Sequence, residues 1–182
     1  MTPERAIAPI SFRPLAEAGA ARLVRLMSDP RVYRHMPLSS GKFEAADCDR
    51  FLAAKGKLWV DHGYGPWALF LGEECAGWGG FQWEDGEADL GLVLAPEWWG
   101  AGRRLTVAML DKGFGDMGFT SVTALLPPSR PHIRALLRAG FVSDDEMTIN
   151  DKRFLRFRLH AEAWKTRREQ ERQYAAHGQP QA

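Results

Sequence analysis

Leu92-Val93-Leu94-Ala95-Pro96-Glu97-Trp98-Trp99-Gly100-Ala101-Gly102-Arg103-Arg104 is the stretch on which the reading of this chain turns. It opens as the end of an apolar strand and passes through Pro-Glu and two tryptophans. It then reaches a glycine pair at the head of an expected helix over 102–117. Glycine admits positive φ and close backbone approach. Amide N–H groups at a helix start form a positive nest that suits a diphosphate, and Arg103 or Arg104 adds charge. The physical expectation is a phosphate-bearing ligand at this helix start. The stretch is not a P-loop, because Gly-Lys-Ser/Thr is missing. Nor is it a dinucleotide fingerprint, which needs a third glycine and an acid after a parallel strand. A lone Gly-x-Gly is by itself weak, and a tight strand-to-helix connection explains most such pairs.

Upstream, residues 67–71, 75–83 and 87–94 read as strands joined by Gly72-Glu73-Glu74 and Glu84-Asp85-Gly86 turns. On the last strand Ala88, Leu90, Leu92 and Leu94 share one face; Glu87, Asp89, Gly91 and Val93 share the other. Further back, residues 10–13 form a strand and Pro14 opens a helix. Leu15, Leu23, Leu26 and Met27 line its buried face, and Ser28-Asp29-Pro30 ends it. Residues 32–35 make a short turn. Ser39 or Ser40 caps a second helix, with Ala45, Cys48 and Leu52 inward, that runs to about His62. Downstream come a strand over 121–126 and a helix over 129–139 closed by Gly140. Strands 141–147 and 152–160 meet at Ile149-Asn150-Asp151, and a charged helix covers 162–175. The expected fold is α+β, a mixed, mostly antiparallel sheet flanked by helices.

The 182 residues suit one domain, and a 45% hydrophobic content supplies one core. With 24 basic and 23 acidic residues, the chain lacks the cationic excess of a nucleic-acid binder. No apolar run reaches the ~18 residues of a membrane helix, and the first residues lack signal-peptide order. Cys48 and Cys75 form no CxxC pair, so buried inert thiols are expected and no metal cluster. A soluble, cytoplasmic, reduced protein is the expectation.

The opening stretch resembles the central signature of the GNAT N-acetyltransferase superfamily. In that family a strand, an x-Pro-Glu segment and Q/R-x-x-G-x-G/A lead into a long helix. Several other segments resemble the branch that holds the ribosomal-protein N-terminal alanine/serine acetyltransferases. These are Phe12-Arg13-Pro14-Leu15, Met27-Ser28-Asp29-Pro30-Arg31-Val32, Gly63-Tyr64-Gly65-Pro66-Trp67-Ala68, Gly77-Trp78-Gly79-Gly80-Phe81, Leu136-Leu137-Arg138-Ala139-Gly140-Phe141, and Arg156-Phe157-Arg158-Leu159-His160 with Trp164. Together they cover residues 10–164. The resemblance implies a GNAT domain over 8–165, followed by a charged helix and disordered tail over 166–182. It also implies splayed central strands with acetyl-CoA as co-substrate between them. The pantetheine would lie on the backbone of Leu92, Val93 and Leu94. The pyrophosphate would lie on the amides of Gly100, Ala101, Gly102, Arg103 and Arg104, beside Trp99, with Ser129 contributing from the later motif. No metal is implied.

In the family a primary amine attacks the thioester directly. The resemblance places the base at Asp89, with Glu87 second and Glu84 and Asp85 weaker. A general acid falls at His132, where the family's motif has serine; the tyrosine acid of many members would fall at Leu136. Tyr33 and His35 would border the acceptor, with Tyr64 and Trp67 near the opposite wall. Beside these roles stand ordinary ones: a strand carboxylate, a surface histidine, core aromatics. Arg104 replaces the motif's last Gly or Ala, and either crowds the diphosphate or binds it. The implied acceptor is a peptide N-terminus or a small-molecule amine; a homodimer stays open, and neither nucleic acid nor membrane is a partner. The other class of reading is a GNAT-fold module that binds CoA or a protein without transferase activity.

Overall fold

The alternating segments assemble into one seven-stranded sheet of order β1-β2-β3-β4-β5-β7-β6. The computed structural model describes residues 8–36, 38, 42–128 and 133–177. Its strands are β1 (Ile10–Pro14), β2 (Pro66–Leu71), β3 (Glu74–Glu84), β4 (Glu87–Leu94), β5 (Ser121–Leu126), β6 (Val142–Ile149) and β7 (Lys152–His160). Neighbours are antiparallel except β4 and β5, which are parallel. The β3–β4 and β6–β7 hairpins turn through pairs of residues with positive φ, Asp85 (50°) with Gly86 (83°) and Asn150 (48°) with Asp151 (59°). That geometry matches the right-handed strand twist.

The helices are α1 (Ala20–Ser28), α2 (Pro30–Tyr33), α3 (Ala45–His62), α4 (Gly102–Asp111), α5 (Arg134–Ala139) and α6 (Ala161–His177). Three expectations need correction. The helix expected from Pro14 is split: Leu15–Ala18 form a 3-10 turn, and Gly19 at φ 79° breaks the axis before α1. Its inward residues stand, since Leu15, Leu23, Leu26 and Met27 are all buried. The cap of α3 is Glu44, whose N–H donates to the Asp47 carboxylate over 2.8 Å; Ser39 and Ser40 lie outside the described residues. Finally, α4 stops at Asp111 and runs on as a π turn over Lys112–Asp116. There the Phe81 ring occupies the space a side chain on Gly113 would need, 2.6 Å from its Cβ position.

Side chains on the two sheet faces feed two cores. On one face Leu69, Phe81, Leu105, Met109, Leu110, Phe141 and Trp164 pack beneath α4 and α6. On the other Leu23, Leu26, Met27, Cys48, Phe70 and Trp78 pack beneath α1 and α3. Each fully buried large side chain contributes about 1.5–3 kcal/mol. Both cysteines are buried free thiols. The charged C-terminal helix is tied to α4 on both sides of residue 165. Trp164 Nε1 donates to Asp111 Oδ1 over 3.0 Å, and Arg168 reaches both Asp111 oxygens at 3.1 and 3.0 Å. No described helix is long and apolar enough to cross a membrane.

One glycine fixes how closely the central strands approach. Gly77 has φ 153° and stands opposite Leu94. A Cβ there would lie 2.1 Å from the Val93 carbonyl oxygen. Only glycine therefore lets β3 support the end of β4.

Candidate functional site

The site begins where the sheet comes apart. β4 pairs with β3 along its whole length, but β4 and β5 share a single register position, Asp89 opposite Thr123. Beyond it β4 continues to Leu94 and β5 to Leu126, with no ladder between them among the described residues. A strand edge without a partner leaves N–H and C=O groups for a ligand. Leu92, Val93 and Leu94 lie on this open arm. Leu92 and Leu94 pack toward the α4 core and Val93 toward the α1/α3 core, as the alternation anticipates.

The loop after β4 differs from expectation. Neither Gly100 nor Gly102 has positive φ. Pro96–Ala101 form a 3-10 helix that runs directly into α4, and Gly102 is helical at φ −53°, ψ −45°. Its N–H donates to the Trp99 carbonyl. The space in front of Gly102 is open: an added Cβ would meet nothing nearer than Leu94 Cδ1 at 3.8 Å, an ordinary contact. No side chain caps the start of α4, and an uncapped helix start is a place where an anion can bind. Trp98 and Ala101 are buried, and Trp99 donates Nε1 to the Leu94 carbonyl over 3.0 Å. The two arginines diverge. Arg103 is exposed and lies 3.7 Å from Glu171, whereas Arg104 donates to the Ala8 carbonyl ahead of β1.

Asp89 is the buried acid at the apex, 9% exposed. Thr123 Oγ1 donates to its Oδ1 over 3.2 Å, and the Leu125 N–H also donates to the carboxylate. Burial pushes its pKa up to about 7, against these hydrogen bonds and the charge of Lys55; Glu84 adds to the rise. Such a carboxyl is half ionised near neutrality, where general bases work best. Glu87 is placed differently. Arg158 grips both its oxygens, Nη2 to Oε2 at 2.7 Å, and also reaches Asp144 at 2.9 Å. The Arg158 hydrogen bonds hold the Glu87 carboxyl below its usual range, which makes it the weaker proton acceptor.

Register separates the remaining candidates. Gln82 faces Asp89 across β3–β4, and Trp78 faces Val93. Trp67 pairs with Gly79, and Gly79 with Leu92. Trp67 therefore points to the face opposite Asp89, where it packs against Phe12, Trp59 and Phe81. Tyr64 stacks edge-on against Phe119, 5.0 Å away, in the same aromatic group. Tyr33 ends α2, and His35 follows it, accepting from Arg34 Nε at 3.3 Å. Ser129 and His132 lie outside the described residues. Sequence reading missed Lys55, Gln82, Thr123 and Arg158, because no motif or spacing sets them apart; they meet Asp89 and Glu87 only through strand register and the crossing of α3.

An acetyltransferase (GNAT) domain pattern matches residues 10–142, and the chain belongs to that family. Solved structures agree on the fold. An acetyltransferase from Agrobacterium tumefaciens matches with TM-score 0.68 at 24% identity, covering 83% of this chain and 90% of that one. A GNAT-family acetyltransferase from Bacillus anthracis matches with TM-score 0.68 at 19% identity, over 85% and 97%. Aminoglycoside acetyltransferase AAC(6')-Ib, in complex with coenzyme A and kanamycin, matches with TM-score 0.71 at 18% identity, over 88% of this chain and 99% of that one. No curated protein sequence matches the chain.

Proposed function

We propose that this protein transfers an acetyl group from acetyl-CoA to a primary amine within a ternary complex. The carrying observation is the parallel pair β4–β5, open beyond one register position that holds a buried carboxylate. The open arm of β4 holds the pantetheine, and the start of α4 holds the diphosphate. Asp89 takes a proton from the acceptor nitrogen as the N–C bond forms and the C–S bond breaks. The leaving thiolate takes up a proton, from His132 in this reading. The products are an acetamide and free CoA. Binding both substrates at the apex supplies much of the rate by orientation alone.

Solved neighbours bound to CoA and aminoglycosides, and the resemblance to ribosomal-protein N-terminal acetyltransferases, support an amine acceptor of either kind, a small molecule or a peptide N-terminus. The second reading is a CoA-binding module without turnover.

The test is calorimetric titration of acetyl-CoA into wild type and Gly102→Trp, with thiol release followed over a panel of amines. Binding by wild type alone, with amine-dependent thiol release, supports the reading. Binding without thiol release for any amine supports the module; no binding to any acyl-CoA refutes both.

A further inference from the structure

We propose that Lys55 is a positioning residue for acetyl transfer: its ammonium, anchored by Gln82 beside the strand apex, holds Asp89 as the carboxylate that accepts the proton. The proposal rests on reading Asp89 as the base. Lys55 projects from α3 and donates to the Gln82 side-chain oxygen. Gln82 is the direct register partner of Asp89, so the two side chains stand on one sheet face with Cβ atoms about 5 Å apart. The ammonium also lies 5.6 Å from the Phe51 ring and 5.9 Å from the Trp78 ring. Aromatic faces favour a cation that has lost its water.

The other groups facing Asp89 do not supply this charge. Thr123 on β5 is neutral, and Glu84 on β3 is an acid. Arg158 on β7 is held by Glu87 and Asp144. Unlike Arg158, Lys55 is hydrogen-bonded to the neutral Gln82 amide and to no carboxylate among the described residues, so its charge is not cancelled by a bonded carboxylate. Burial works to discharge both groups, lowering Lys55 and raising Asp89. Each charge opposes the neutralisation of the other, and Glu84 likewise favours the charged form of Lys55. The same cation disfavours an ammonium on the bound acceptor and so favours the free amine, which is the nucleophile.

The experiment is the pH dependence of kcat/KM for an amine that gives thiol release, at saturating acetyl-CoA. It compares wild type, Lys55→Met, Lys55→Arg and Asp89→Asn. Lys55→Met is expected to move the acid limb to higher pH, lowering kcat/KM at acid pH on the order of threefold relative to its alkaline plateau. Lys55→Arg is expected to restore the limb. Gln82→Leu, which releases the ammonium without removing it, is expected to shift the limb the same way and decides the matter where Lys55→Met fails to fold. A limb that stays in place in the folded variants, while Asp89→Asn is inactive, overturns the proposal and leaves the base assignment standing. An Asp89→Asn enzyme with wild-type kcat overturns the base assignment and the proposal with it.

Discussion

Thr123 donates its hydroxyl to Asp89 over 3.2 Å at the one position where β4 and β5 are paired. The point that closes the sheet is therefore also the point that holds the candidate base. Its carboxylate cannot leave the apex without giving up a buried hydrogen bond worth about 1.5–3 kcal/mol for a charged acceptor. That coupling of architecture to chemistry sets the following expectations.

Asp89→Asn keeps the shape and the acceptor oxygen for Thr123 but removes the base. The expected kcat loss is ~10²–10⁴-fold, with the calorimetric Kd for acetyl-CoA unchanged. Steady-state thiol release together with titration checks both parts, and a kcat within a factor of a few of wild type refutes the assignment.

Asp89 also makes stability depend on pH. Its folded pKa of about 7 lies above its unfolded value near 3.8. Between these values the unfolded chain gives up its proton first, so stability falls as pH rises from about 4 to about 7. The full contribution is on the order of 4 kcal/mol. Urea midpoints at about pH 5 and pH 8 are expected to differ more for wild type than for Asp89→Asn.

Thr123→Val deletes the hydroxyl at nearly constant volume. Asp89 then loses a donor to its charged form and its pKa rises further. The acid limb of kcat/KM is expected to move up, and urea unfolding above neutral pH to lose about 1–3 kcal/mol.

Arg158→Met takes from Glu87 and Asp144 the guanidinium that hydrogen-bonds both, and leaves Arg156, 3.6 Å and 2.8 Å from them, as their remaining shared cation. The cost is expected at about 1 kcal/mol or somewhat more, because all three side chains are 17–28% exposed. Both carboxyls are held below their usual range chiefly by Arg158. Their contribution is therefore present above about pH 4 and lost as pH falls through the lowered values. Urea midpoints of wild type and variant should converge at strongly acid pH.

Gly77→Ala places a methyl 2.1 Å from the Val93 carbonyl oxygen, in backbone that cannot yield cheaply. About 2–4 kcal/mol of destabilisation is expected, with weaker acetyl-CoA binding because the end of β4 moves. Thermal unfolding with titration checks the pair of effects.

The sequence by itself determined the order of the elements, the strand faces and the family. Alternation from Glu87 to Leu94 fixed which side chains enter which core, because strand side chains alternate strictly. Pro14, Gly72 and Gly140 marked breaks through restrictions that act within a few residues. Asp89 was legible only through resemblance, since a carboxylate on a strand carries no local sign of burial. Tertiary structure alone decided the rest. It opened β4 from β5 beyond Thr123, turned Trp67 away from the Asp89 face, sent Arg104 to Ala8 and locked Glu87 onto Arg158. It also brought Lys55 to Gln82 across an interval of 27 residues. Local propensity reaches one turn or one strand, whereas burial, charge pairing and register depend on residues that meet only after the chain has closed on itself.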